Sequence, residues 1–288
     1  MEQMQTPEEG EQKKRISIRK RLAHQWRQRT LLWEFLKRDL QARYVGSVMG
    51  FFWSVINPIV LLGLYTFIFG FVIRPDFTGR YVIDSGNRME IALYIFCGLL
   101  PWYALQEAIL RSTTCIVDNG HLIRQIRFPA KILPAYLVLS SLINQLIGTF
   151  VLIGAIWFIR GAFSTALAAF PLVVILQGML AFGLALFLCT LHVYLRDTAP
   201  LVTIGVMVAM WTTPMFYTLE AIPEKIRTLV LFNPFSHMII LYHGTFLDKE
   251  GAWPDLTHWV IMATVSLLAL FVGYRIFTRA HSEFVDVI

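Results

Sequence analysis

Six stretches of this chain are too long and too apolar to rest in water. They run over about residues 48–73, 91–110, 132–159, 167–191, 199–217 and 258–277. Each lies near the roughly 20 residues that a helix needs to cross the hydrocarbon of a bilayer. Composition agrees: the 288 residues are 56% hydrophobic and 15% charged, where a soluble domain carries about 25% charge. The mean hydropathy is +0.59. A soluble globule, a disordered chain, a collagen-like repeat and a disulfide scaffold are thereby excluded. The expected fold is an all-α integral membrane protein with six transmembrane helices. Prolines 58, 101, 200 and 214 fall inside these stretches; spans tolerate proline where neighbours satisfy the freed carbonyls. There is no internal repeat.

Charge sets the expected orientation. Residues 1–48 hold 11 Lys or Arg against 6 Asp or Glu. With the stretch Arg111–Lys131, Arg196, Arg275 and Arg279, that side of the membrane carries 18 basic residues, and the opposite loops carry 7. The excess of positive charge faces the cytoplasm, so both termini are expected there, in a plasma (inner) membrane. An even number of spans requires the same. No apolar run opens the chain, so no cleavable signal is expected and the first span directs insertion. Lys13-Lys14-Arg15 and Arg19-Lys20-Arg21 suit an anionic lipid surface, which explains them without nucleic acid.

Residues 1–25 read as a basic, disordered cytoplasmic tail, and 26–288 as the membrane domain. Over 26–44, Leu32, Phe35, Leu36, Leu40 and Tyr44 recur at helical spacing, with Lys37, Arg38, Gln41 and Arg43 on the other side. An apolar stripe opposite a basic face describes a helix lying in the membrane interface. Between spans five and six, Pro223 opens an apolar run that Asn233-Pro234 interrupts before a second run ends at Leu247. Each run is too short to cross, so residues 223–247 are expected to form two short re-entrant helices at the outer side. An external loop packed on the mouth of the bundle is the alternative.

Catalytic chemistry finds little footing. The spans hold almost no ionisable groups, and Glu107 with Arg111 one turn later has the spacing of a structural pair; a buried acid in a proton path is the other reading. His192, His237, His243 and His258 show no ligand spacing. Cys97, Cys115 and Cys189 are odd in number and far apart, which fits neither a disulfide framework nor zinc. No G-x-x-x-x-G-K-[ST] phosphate loop occurs, so an ATP-driven step requires another chain. No metal or cofactor is expected in this one, and ATP and Mg2+ would bind its partner.

The second cytoplasmic loop is the most informative. In IVDNGHLIRQIRFPAKILP, Asp118 can cap a short helix, Leu122, Ile123, Ile126 and Phe128 form an apolar stripe, and Pro129 ends it. Arg124, Arg127 and Lys131 project as charge. Such a basic amphipathic turn can enter a groove on a partner protein or lie on lipid. Tyr194-Leu195-Arg196-Asp197 is a second cytoplasmic turn. Gly46 and Gly50 make one possible close helix contact.

In order, GSVMGFFWSVINPIVLLGLYTFIFG, FCGLLPWYALQEAI, NGHLIRQIRFPAKILP, LRD and FNPFSHMIILYHG resemble the polysaccharide-exporting ABC-2-type transporter permeases, over nearly the whole of residues 26–277. The resemblance implies a coupling helix at Asn119–Pro129 that docks into an ATPase through Asn119, Leu122, Arg124, Arg127, Phe128 and Pro129. Arg196 and Asp197 would support it on the second turn. Pro223, Asn233 and Pro234 would mark the gate helices at the outer end of the pore. Two permeases and two ATPase subunits would form the complex, with the channel between the permeases and no covalent chemistry in this subunit. The implied substrate is a lipid-linked polysaccharide, O-antigen first, capsule or teichoic acid otherwise. From the residues themselves, Trp53, Tyr65, Phe69, Trp102, Tyr103, Trp211, Phe216 and Tyr217 lie in or beside spans, where flat rings offer a sugar chain apolar faces. An interfacial aromatic belt has the same composition. A membrane acyl- or glycosyltransferase would require clustered Asp, Glu or His, and a proton-driven transporter would require intramembrane charge and repeats.

Overall fold

A computed structural model describes residues 28–43, 52–73, 88–124, 128–248 and 253–287. The tail 1–25, residues 26, 27 and Tyr44, the Gly46/Gly50 pair, Ile126 and Arg127 lie outside these. The described residues are helical throughout, with no strand among them. Helix α1 covers 28–42; α2 is Trp53–Phe67, prolonged by a π-helical segment Ile68–Ile73. Then come α3 (Arg88–Asp118), the short α4 (Gly120–Ile123) and α5 (Ile132–Arg160). A 3-10 turn, Thr165–Ala169, leads into α6 (Phe170–Tyr194), followed by α7 (Thr198–Thr212). The last four are α8 (Glu224–Phe232), α9 (Pro234–Leu247), α10 (Leu256–Ala280) and α11 (Phe284–Val287).

Four helices among the described residues are long and apolar enough to cross a membrane: Met89–Asp118, Ile132–Arg160, Thr165–Tyr194 and Leu256–Ala280. Trp53–Phe67 and Thr198–Thr212 are shorter apolar helices. The fifth expected span reaches Tyr217, but its helix stops at Thr212. Thr213 is extended, φ −99° and ψ 136°, because the ring of Pro214 disfavours helical backbone in the residue before it.

Helix α3 is the hub. Residues 91–99 are buried on every side, as expected of a helix that is apolar all round. It packs between α5 and α6, with α9, α2 and α7 against its remaining flanks. The closest approach in the bundle is α6 on α10. A Cβ on Gly273 would stand 2.1 Å from the Gly183 carbonyl oxygen, and one on Gly183 would stand 2.4 Å from the Ala269 backbone. Neither glycine can carry a side chain there without moving main chain. The outward faces of α2, α5, α7 and α10 present large apolar side chains such as Val60, Phe150, Met207 and Phe271. Water would penalise such a surface and hydrocarbon accepts it.

Candidate functional site

At one end of the bundle, α1, α4, α11 and the adjoining ends of α3, α5, α6 and α10 share an apolar cluster. Ile116, Ile123, Leu133, Cys189, Phe277 and Phe284 are buried in it. Phe35 of α1 stacks on Tyr136 at 5.4 Å and meets Phe128 edge-on at 6.1 Å. The expected docking loop is thus tied directly to α1. Within that loop Ile123 is buried, Leu122, Phe128 and Pro129 are half-buried, and Arg124 is exposed. Asp118 does not cap α4. Asn119 occupies the cap position and turns its Nδ2 back to the Cys115 carbonyl at 2.8 Å. Arg196 and Asp197 sit exposed on the α6–α7 turn, where the Asp197 side chain makes no capping bond.

The inward stripe of α1 is not wholly apolar. Leu32, Phe35, Leu36 and Leu40 turn inward as their spacing required, and Asp39 and Arg43 follow them. Arg43 therefore leaves the polar face on which its position in the sequence had put it. Asp39 receives Nη1 of Arg111 at 3.1 Å, Nη2 of Arg111, and the Ser140 hydroxyl at 2.5 Å. Arg43 donates to Glu107 and to Ser140 Oγ at 3.0 Å, while Arg111 also reaches Glu107 at 3.1 Å. Two acids and two bases from the α1 segment and α3, with the Ser140 hydroxyl of α5 between them, close into one neutral network. Burial alone raises the Asp39 pKa. Hydrogen bonds from Arg111 and Ser140, with the charges of Arg111 and Arg43, outweigh it and hold the carboxyl below its ordinary range. Asp39 is therefore an anion at neutral pH, and Glu107 with Arg111 is half of a larger clamp.

Beside the network a groove of about 570 Å³ opens between α2, α3 and α5. Arg43, Glu107, Trp53, Asn57, Asn144 and Tyr103 line it, and Leu61, Leu100 and Gly148 close its far end. Tyr103 belongs to a second feature. Its hydroxyl meets that of Tyr65 at 2.9 Å. Tyr65 is followed by Phe69 at 6.3 Å, Phe69 stacks on Phe216 at 5.9 Å, and Phe216 meets Trp211 at 5.3 Å. The Tyr217 hydroxyl reaches the Trp211 carbonyl at 3.4 Å. Rings spread over the sequence thus form one ladder from the groove to the end of α7, where Trp211 is 62% exposed. Trp102 is the exception among the aromatic residues singled out. It is 1% exposed, packed edge-on against Phe235 and bonded through Nε1 to Gln106. Adjacent residues of a helix point about 100° apart, so Trp102 faces the core while Tyr103 faces the ladder.

The break at 233–234 is a knot of capping bonds. Asn233 Oδ1 accepts from the Phe235 amide at 3.0 Å, and its Nδ2 donates to Thr212 and Thr213 at 3.2 and 3.1 Å. Pro234 takes the first turn of α9 and Pro223 precedes α8. His237 donates from Nε2 to the Leu231 carbonyl at 2.8 Å, which makes its Nδ1 the acceptor from His258 Nδ1, also at 2.8 Å. Helix α9 is buried from Ser236 to Leu247, while α8 leaves Phe232 88% exposed. Two short helices, α8 and α9, thus flank Asn233-Pro234.

Sequence reading alone did not find three further groups. Arg160, counted as a loop cation, has a side chain only 8% exposed and grips Glu90 through Nε at 2.9 Å and through Nη2, with Nη1 on the Leu247 carbonyl at 2.9 Å. Gln145, Gln177 and Tyr242 hydrogen-bond to one another in the core, and Gln177 also donates to the Pro101 carbonyl at 3.1 Å. Gly183 and Gly273 are the third. Polar residues within apolar runs are the local signal for the first two; Gly183 and Gly273 carry none. Among the described residues no three His, Cys, Asp or Glu gather as metal ligands would.

A family model described as ABC-2 type transporter matches residues 30–247. Two proteins from Klebsiella pneumoniae, each an O-antigen export system permease protein RfbA, are 27% and 26% identical over 263 residues, which is 90% of this chain and 95% of each relative. The protein of the same description from Myxococcus xanthus is 29% identical over 263 residues, 90% of this chain and 96% of its own.

Proposed function

This chain belongs to the ABC-2 type transporter family, and from that membership we propose that it is the membrane-spanning permease subunit of an ATP-driven exporter of lipid-linked polysaccharide, with O-antigen as the polymer. It lies in the inner membrane with both termini in the cytoplasm and six passes, α2 and α7 supplying the two passes that are shorter as helices. Two copies enclose the channel. Two copies of a separate ATPase chain bind ATP and Mg2+ and dock on α4, Arg124, Arg127 and the Arg196-Asp197 turn. Helix α1 lies along the cytoplasmic interface, and α8 and α9 form the outer gate.

The observation that carries this reading is the aromatic ladder. Six of the eight rings that composition alone could not distinguish from a belt lie on one continuous course from Tyr103 to Trp211 and Tyr217, and Trp53 lines the groove where that course begins. Stacked ring faces give a moving sugar chain apolar contact without fixing its register. Docking strokes would travel from α4 through Phe128 to Phe35, and from α1 through Asp39 and Arg43 to α3 and α5. Deleting the gene should leave polymer inside the cell and strip it from the surface. Native chain should restore it, and Trp211→Asp should restore less than a tenth. Unchanged surface polysaccharide on deletion overturns the reading.

A further inference from the structure

The groove between α2, α3 and α5 has a composition that identifies its occupant. Only two charged groups line it among the described residues, Arg43 and Glu107, and they are paired with each other. The next charges outward, Asp39 and Arg111, are paired as well. The site is therefore neutral in sum. The carboxamides of Asn57 and Asn144, exposed and half-buried, also line it and make no hydrogen bond to another described residue, so their donors and acceptors are open to whatever enters the groove. Trp53 and Tyr103 contribute ring faces. About 570 Å³ is the size of an ordinary small-molecule site.

A diphosphate linker carries two or more negative charges and would require uncompensated cations. It would also face the Glu107 carboxylate with Arg43 already engaged. An acyl chain would leave both carboxamides unsatisfied. A neutral polyhydroxyl ring meets every feature: hydroxyls give to and take from Asn57 and Asn144, Glu107 accepts, and the two rings cover the sugar's apolar face. The same Tyr103 stands at the first step of the aromatic ladder, so whatever leaves the groove is handed to the ladder. We propose that this groove is an intraprotomer carbohydrate subsite that holds sugar rings of the polymer, and not its phosphate linker, before they move onto the ladder. The proposal rests on the permease reading above and adds a site and a ligand chemistry to it.

The test uses the full chain in cells deleted for the gene, with surface polysaccharide divided by the amount of membrane-inserted protein. Asn57→Leu combined with Asn144→Leu should lower export at least tenfold. Asn144→Asp should lower export no further than Asn144→Ala does, because a carboxylate still accepts from hydroxyls, whereas in a phosphate seat the added charge would cost at least tenfold more than the alanine. Asn57→Cys supplies a measurement independent of the double variant's folding. In membrane vesicles, its alkylation by a maleimide should be at least fivefold slower when the cells make the polymer than when their first polymer-building glycosyltransferase is absent. Native export by the leucine pair, a loss with Asn144→Asp at least tenfold beyond that of Asn144→Ala, or equal alkylation rates each overturn the subsite. A deletion that leaves surface polysaccharide unchanged removes the permease reading and the subsite together, whereas export that depends on the gene but not on Asn57 and Asn144 removes the subsite alone.

Discussion

The substitution Asp39→Asn isolates what holds α1 to the bundle. The Asp39 side chain is 11% exposed and that of Arg111 is 36%, and the two meet fork to fork through both guanidinium nitrogens. A hydrogen bond to a charged group contributes about 1.5–3 kcal/mol, so two give about 3–6. Water reaches more than a third of Arg111, and screening at that exposure reduces the sum to about half, some 1.5–3 kcal/mol. The carboxamide that replaces the Asp39 carboxylate also turns donors toward a guanidinium that has only donors, and leaves Arg43 and Arg111 to share Glu107. Phe35 and Leu36 still anchor the helix, at about 1.5–3 kcal/mol each, so α1 should loosen without leaving. At roughly 1.4 kcal/mol per tenfold, hydrogen-exchange protection over residues 35–42 should fall about 10- to 150-fold. Arg111→Gln on the Asp39→Asn background restores neutrality, and protection should recover by about 1 kcal/mol or more over additivity. Exchange within threefold of native in the single variant, or strict additivity in the double, would refute a clamp and leave the apolar stripe as the sole anchor.

Three other outcomes are expected. Gly273→Ala should lower the thermal midpoint of the detergent-solubilised protein through an overpacking cost of about 3 kcal/mol, whereas Gly154→Ala, whose Cβ meets nothing within 4 Å, should raise it slightly through helix propensity; equal midpoints would contradict the backbone contact. Arg160→Met should destabilise by about 3–5 kcal/mol because it strands Glu90, with side chains only 8% and 4% exposed, and Glu90→Leu added to it should restore most of the loss, read as midpoint and as export. Arg124→Glu with Arg127→Glu should abolish co-purification of the ATPase at unchanged membrane levels, and retained co-purification would move the docking site elsewhere.

What could be read in advance was what neighbouring residues encode. Apolar runs, the stripe of α1 and the Asn233-Pro234 break each occupy one short window, so periodicity and proline chemistry exposed them. Asp39 and Arg111 are 72 positions apart and Glu90 and Arg160 are 70; their meeting depends on which helices become neighbours, a choice that local pattern does not contain. The same limit separated Trp102 from Tyr103. Both suit a path by residue type, and only the rotation of α3 about its axis decides between core and ladder. Gly183 and Gly273 were invisible because a small residue announces a close contact only when its opposite number is known. The end of α7 was misjudged because apolar residues run on to Tyr217, while Pro214 ends the helix on steric grounds that hydropathy does not register.

Main chain against main chain at Gly183 and Gly273 has a mechanical consequence. Two helices separated by side chains can slide or roll, because rotamers absorb the displacement. Two helices in backbone contact have no such compliant layer, so α6 and α10 move as one beam, with α3 laid along α6. Helix α7 touches the protomer by a narrow strip that includes Val202, Val206 and Ala209, with most of its circumference outward. If an ATPase docks at α4 as proposed above, its stroke would meet a stiff frame and a neighbour held along one narrow strip. On that reading the strain would go where resistance is least, into the tilt of α7 and the Asn233 knot fastened to its end, with the frame as stator and α7 as the moving part.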